Sequence, residues 1–129
     1  MVSVMAERRP LQLEALAGRK LEYVRLDSTV VLGLSGGGQV VIETPALLVG
    51  ADGPFAVLPG VTSSEVLATL LGDTVRTARA RDTGELEIGF AGGARLLVGA
   101  DDDYESWAVI GPDGLLIVCL AGGELAVWG

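Results

Sequence analysis

The stretch "DDDYESW", Asp101 to Trp107, is the most charged in the chain and the richest in groups able to do chemistry. Three successive aspartates and Glu105 offer oxygens of the type that bind Ca²⁺. Their spacing argues against such a site. An EF-hand loop alternates its acids and carries Gly at position 6 and Glu at position 12, and consecutive acids on an extended strand alternate between faces. The better expectation is a solvated loop. Tyr104, Glu105 and Trp107 then form an acid-flanked amphipathic patch of the kind found at protein interfaces. Asp101, Asp102, Asp103, Tyr104, Glu105 and Trp107 are therefore the candidate interaction residues. Trp107, between an acidic strand start and an apolar run, is expected to be partly buried, and the first use expected of Trp107 and Trp128 is to seal the ends of the sandwich or barrel; the acid-flanked patch is the alternative use of these aromatics.

A second, smaller set is polar. Glu43 ends the apolar run "QVVIE" and is expected across from Val31, an apolar neighbour that makes it the best single acid–base candidate. Arg25 and Arg79 sit at equivalent places of a repeat and can pair with Asp27 or Glu43 on an exposed sheet face. The chain has no His, which removes Ser-His-Asp and Cys-His triads and imidazole metal sites. Its one Lys, Lys20, lies outside any P-loop pattern. Cys119 is its one Cys, so an internal disulfide is impossible; within "LLIVCL" it is expected to act as a small buried hydrophobe. "GLSGGGQ" joins two apolar alternations and opens no helix, so it is a turn and not a phosphate cradle. No catalytic residue, metal site or cofactor is expected, and the reading leans away from an enzyme.

Charge narrows the partners. Residues 1–81 hold eight basic and eight acidic residues, whereas residues 82–129 hold nine acids and only Arg95, so the net charge of −8 lies in the last third. Phosphate backbones and anionic membranes require Lys and Arg, so neither nucleic acid nor a membrane surface is an expected partner. A basic protein suits the acidic third; solubility is the simpler use of the same charge. No apolar run reaches the length of a transmembrane helix and no secretory leader is recognisable, so a cytoplasmic location is expected.

These residues must be positioned by a chain that states itself twice. Placing Gly18 over Gly72 aligns Leu21 with Val75, Val24 with Ala78 and Arg25 with Arg79. After a two-residue insertion near "TGE", Val30, Leu32 and Leu34 lie over Leu86, Ile88 and Phe90, and Val40 and Ile42 over Leu96 and Val98. The apolar residues alternate in both copies, as on half-buried strands. Pairing Leu34 with Val40 and Leu32 with Ile42, and likewise Phe90 with Leu96 and Ile88 with Val98, places all of them on one side. Each copy is expected to be a three-stranded antiparallel meander, at about 20–26, 29–35 and 39–44, then at about 74–81, 85–90 and 95–99.

Between the copies, "VTSSEVLATLLGD" has capping-box spacing at Thr62 and Glu65, a staple pair in Val61 and Val66, and Gly72 at the position of a C′ glycine. A helix is expected at about 63–71. Turn signals at "GPDG" and "AGG" divide the end of the chain into strands at about 105–110, 115–120 and 124–128. "LLIVCL", apolar on both faces, should be a covered central strand. The expected fold is one all-β, mainly antiparallel domain over 1–129 with one short α-helix, built from internally duplicated meanders (units at about 18–45 and 72–100) as a β-sandwich or partly open barrel.

Tyr104-Glu105-x-Trp107, the Gly-rich turn at Gly111 and Gly114, and the ending "GGELAVW" from Gly122 to Trp128 resemble the signature of a small, functionally uncharacterised actinobacterial (Streptomyces-type) family. "VRLDSTVVLGLSGGGQVVIETP" is similar to its N-terminal half, so the resemblance covers nearly the whole chain. The chain departs from that pattern at Ala121 and at Ala46 after Pro45. The resemblance implies a small β-rich intracellular bacterial protein and no activity.

The expected function is a non-enzymatic acidic protein-interaction module, binding a basic protein or its own kind; an immunity-type inhibitor is one concrete version. A small-molecule binder or pocket-shaped catalyst inside a barrel, and a structural, oligomerising unit, are the alternatives.

Overall fold

The computed structural model describes residues 4–7, 11–50 and 52–129, without the side chains of 4–7 and 62–65. Its strands are β1 (Val4–Glu7), β2 (Leu11–Gln12), β3 (Leu21–Leu26), β4 (Val30–Leu34), β5 (Gln39–Ile42), β6 (Ala46–Gly50), β7 (Gly53–Val57), β8 (Val75–Ala80), β9 (Leu86–Phe90), β10 (Arg95–Val98), β11 (Trp107–Ile110), β12 (Leu116–Cys119) and β13 (Leu125–Trp128). They form two separate sheets. The first runs β1-β13-β12-β11-β5-β4-β3 and the second β2-β8-β9-β10-β6-β7. Every pairing is antiparallel. Among the described residues the sheets meet edge to edge only at the isolated Lys20–Thr74 bridge, so the fold is a sandwich and not a closed barrel. Leu32, Val40 and Ile42 from one sheet and Leu86, Ile88, Leu96 and Val98 from the other lie in one core, all at 1% exposure or less.

The two meanders are β3-β4-β5 and β8-β9-β10, and they correspond pair for pair. Val24 faces Leu32 as Ala78 faces Ile88; Leu32 faces Val40 as Ile88 faces Leu96. Even the register shift at the start of each first strand recurs, between Leu21 and Tyr23 and between Val75 and Thr77. The observed register differs by two residues from the alternation-based expectation. Leu32, not Leu34, pairs with Val40, and Ile88, not Phe90, pairs with Leu96.

The hairpin loops explain the shift. Leu34 N–H donates to Gly38 O at 2.8 Å and Phe90 N–H to Ala94 O at 2.9 Å, which closes loops of three residues rather than five. Arg81 to Glu85, Gly111 to Leu115 and Leu120 to Glu124 close in the same way, each at 2.8 Å. The third loop residue is a glycine with positive φ every time, from Gly37 to Gly123, which is the three-residue hairpin ending in a glycine bulge. A slip of two keeps the pleat in phase, so every aliphatic stays on its expected face.

The segment between the two meanders is helical, but as a 3₁₀-helix over Thr62–Leu70 rather than an α-helix at 63–71. Its anchors are Leu67 and Leu70, fully or nearly buried and three residues apart, the repeat of a 3₁₀ turn. The N-cap is Val61, not Thr62, with no side-chain cap bond, and Val61 is exposed. The capping-box side chains of Thr62 and Glu65 lie outside the described ones. Gly72, at φ +86°, does follow the C-cap Leu71. β12 is interior to the first sheet, as "LLIVCL" suggests, yet only Ile117 and Cys119 face the core; Leu116 and Val118 are half-buried on the outer face. Among the described residues no helix is long and apolar enough to cross a membrane.

Candidate interaction site

The chain crosses from β10 in the second sheet to β11 in the first through residues 99–106. Asp101 shapes this loop. Its Oδ1 accepts the backbone N–H groups of Asp103 at 2.8 Å and Tyr104 at 3.1 Å, an Asx-type turn. Its carbonyl accepts Gly122 N–H at 2.8 Å, which ties the loop to the β12–β13 hairpin. Asp101 is thus a loop-forming residue, while Asp102, Asp103, Tyr104 and Glu105 point to solvent. Tyr104 is 70% exposed, the most exposed large apolar side chain described.

The loop comes down beside the end of β5, because β5 and β11 are neighbours in register from Gln39–Ile110 to Ile42–Trp107. One step further, Glu43 N–H donates to Ser106 O at 2.9 Å. Glu43, Thr44, Tyr104 and Glu105 consequently line one open cleft of about 440 Å³. Two candidates more than 60 residues apart in sequence are thereby brought together. Glu43 does not face Val31, however; Val31 pairs with Val41, and Glu43 lies beyond the strand end. The cleft combines two carboxylates, a hydroxyl and an aromatic ring, groups that suit a cationic side chain.

Trp107 is set apart from its sequence neighbours. It is fully buried, and its Nε1 donates to Gly84 O at 2.8 Å; the Cys119 thiol donates to the same carbonyl at 3.4 Å. Trp107 therefore holds the sandwich closed and is not part of the exposed patch. Ser106, between it and the cleft, is fully buried with no hydrogen-bond partner for its Oγ.

Arg25 and Arg79 hold equivalent outer-face positions but differ in surroundings. Arg25 meets Asp27 at 3.7 Å, largely in solvent, a pair worth little. Arg79 donates to Glu87 at 2.9 Å, and Arg81 at 2.7 Å and Arg95 at 3.1 Å close on the same carboxylate. Glu87 is 7% exposed beneath these guanidiniums. Burial alone pushes its carboxyl up, but the hydrogen bonds of Arg79 and Arg95 and the charges of Arg79 and Arg81 outweigh this and hold it below the usual value. Sequence reading missed Glu87, although a three-residue loop at 82–84 places it opposite Arg79.

A second concavity, about 460 Å³, opens between the sheets and is lined mostly by apolar residues, among them Leu11, Leu13, Leu115, Ile117 and Val127. Among the described residues no three Cys, Asp or Glu converge as metal ligands do. No curated protein and no solved structure matches the chain. A family model does match, over residues 12–129, covering both meanders, the acidic loop and the closing hairpin: the chain belongs to the family of unknown function DUF6188.

Proposed function

We propose that this protein is a non-catalytic interaction module that takes a basic protein segment in the cleft between Glu43 and Tyr104. The observation that carries the reading is the position of Tyr104, 70% exposed and flanked by carboxylates from two separate strand ends. An exposed tyrosine contributes contact area at small entropic cost, and the surrounding acids steer cations toward it. The one thiol, Cys119, is buried and bonded within the core, which supports a binding role over nucleophilic chemistry. An immunity-type inhibitor of a basic toxin is a version of this role by analogy. The apolar concavity beside Leu11 and Ile117 supports a second reading, a binder of a small apolar ligand.

The same proposal places the protein in the cytoplasm of an actinobacterium, in line with eight Arg against one Lys, the absence of Asn, and the Tyr104-Glu105-x-Trp107 element. It takes the two meanders as products of an internal duplication. The test is affinity capture at low salt with the unaltered chain and with a Glu43→Lys, Tyr104→Ser, Glu105→Lys variant. A basic protein retained by the first, lost by the second and released as salt shortens the Debye length supports the reading. The same set bound to both, or only the chain itself, overturns it.

A further inference from the structure

The outer faces of the two sheets occupy equivalent positions of the fold but differ in charge where the two meanders lie. On the second sheet, cross-strand pairing runs Arg79–Glu87–Leu97–Leu47–Ala56 and Thr77–Gly89–Arg95–Val49–Pro54. Ion pairs cover its β8–β9 end, with Arg79 and Arg95 both on Glu87, whereas Leu97, Leu47, Ala56, Val49 and Pro54 leave the β6–β7 end apolar. On the first sheet the matching rows run Arg25–Val31–Val41–Ala108–Val118–Ala126 and Tyr23–Gly33–Gln39–Ile110–Leu116–Trp128. Val31 stands where Glu87 does, and Gln39 where Arg95 does. Twelve positions hold one charge, Arg25 at the edge, and no carboxylate, in a chain with 17. Val31 and Ala126 are 5% and 3% exposed although neither belongs to the core between the sheets. An apolar layer therefore lies outside the sandwich, and the second sheet shows that solubility alone does not require it.

We propose that this face is where two copies of the chain pack together. The rows are self-complementary in size. The first is small (Val31, Val41, Ala108, Val118, Ala126), and the second is large at Ile110, Leu116 and Trp128. A two-fold axis running along the rows, in the plane between two stacked sheets, sets the large row of each copy over the small row of the other. It also carries Glu43 and Glu124, which lie beyond the small row at the strand ends, away from their counterparts in the other copy. A basic partner fits this uncharged face poorly and belongs at the acidic cleft. Six strands spaced about 4.8 Å, with four residues of about 3.4 Å each, give a flat footprint of roughly 330 Å² per copy. Doubled, this stays below the area of standard specific interfaces, so the dimer is a weak one that forms only at high concentration.

Sedimentation equilibrium from roughly 5 to 500 µM tests this. The expected result is a mass rising from 13.3 kDa toward twice that value, more steeply at high salt, since salt screens repulsion between copies of charge −8. Val118→Lys and, independently, Leu116→Glu should weaken association at least about tenfold with the circular dichroism and melting transition of a folded chain. Leu47→Lys, on the second sheet at the position equivalent to Ala108, should leave it unchanged. A constant 13.3 kDa across the range, or a dimer that survives both outer-face variants, overturns the proposal. The salt response separates it from the cleft reading, where binding weakens as salt rises.

Discussion

Lys20 faces Thr74 across an isolated antiparallel bridge, and the two are equivalent positions of the two meanders. The hydrogen bonds around them are exchanged in kind. Leu21 N–H donates to Asp73 O at 2.9 Å and Val75 N–H to Arg19 O at 2.8 Å; Gly18 N–H donates to Val75 O at 2.7 Å and Gly72 N–H to Leu21 O at 2.9 Å. Each bond maps on its partner when 54 is added to one number and subtracted from the other. A local two-fold axis thus passes between Lys20 and Thr74, and the two sheets are joined there by backbone groups whose pairing does not depend on side-chain identity.

Equivalent glycines along this axis should respond unequally to a methyl group. A Cβ on Gly33 would fall on the Tyr23 ring, whose hydroxyl accepts Gln39 Nε2–H at 2.6 Å; one on Gly89 would meet only Thr77 Oγ1, at 2.7 Å. Gly33→Ala must lift the ring off the strand and should cost about 1 kcal/mol. Gly89→Ala should stay within about 0.5 kcal/mol of the unaltered chain, since a small hydroxyl can turn aside and Ala suits a strand better than Gly. Urea titrations give both numbers, and Tyr23→Thr in the Gly33→Ala background should erase most of the difference.

Ser106 offers a stabilising change. Its hydroxyl is buried without a partner, so it loses hydration on folding and gains no bond. Ser106→Ala removes that oxygen and leaves the backbone bonds to Glu43 and Cys119 in place. The variant should gain about 1 kcal/mol in urea unfolding. A loss of similar size would show that the hydroxyl is hydrated or bonded in solution.

The strands were legible because alternation acts locally. Val30, Leu32 and Leu34 are read correctly from three positions of sequence, and the same three reappear at Leu86, Ile88 and Phe90. Register was less legible, since apolar alternation is satisfied equally by any even slip and the loop glycines decide among them. The Thr62–Leu70 segment is 3₁₀, with Leu67 and Leu70 buried three residues apart and Val61 rather than Thr62 at its N-cap, a choice that the spacing of Thr62 and Glu65 does not express. At the site, Tyr104 and Glu43 were each visible, but their meeting depends on β5 pairing with β11, a long-range choice that local pattern does not express. Trp107 reads as partly buried from the apolar run that follows it, and it is buried fully because its Nε1 reaches Gly84 O on the other sheet, a partner that local pattern does not name.

Gly84 is the most demanding position in the core. It has φ +90°, its carbonyl holds both Trp107 and Cys119, and a Cβ would stand 2.6 Å from the backbone oxygen of Gly123. Two hairpin loops, one from each sheet, meet there backbone to backbone, so neither can yield by turning a side chain. Gly84→Ala should cost about 3 kcal/mol or more, whereas Gly93→Ala, at φ +101° in open space, should cost about 1–2 kcal/mol. Melting followed by tryptophan fluorescence reads both, with the emission of buried Trp107 shifting red only in the first.

Glu87 gives the chain a defined response to acid. Its carboxyl is held below the usual range by Arg79, Arg95 and Arg81, so the stabilisation it contributes is complete above the unfolded-state value, about pH 4.3, and is lost as pH falls through the lower folded-state value. Those arginine side chains are 40–51% exposed, which screens the pairs and leaves no buried charge behind if the carboxylate is removed. Glu87→Gln should therefore cost about 1–2 kcal/mol near neutral pH, less than a pair buried on both sides. The difference between the unaltered chain and the variant, from urea unfolding at several pH values, should be flat from neutrality to about pH 5 and shrink toward zero below about pH 4. A difference that persists unchanged into acid would mean that Glu87 acts by filling space beneath the arginines and not by its charge.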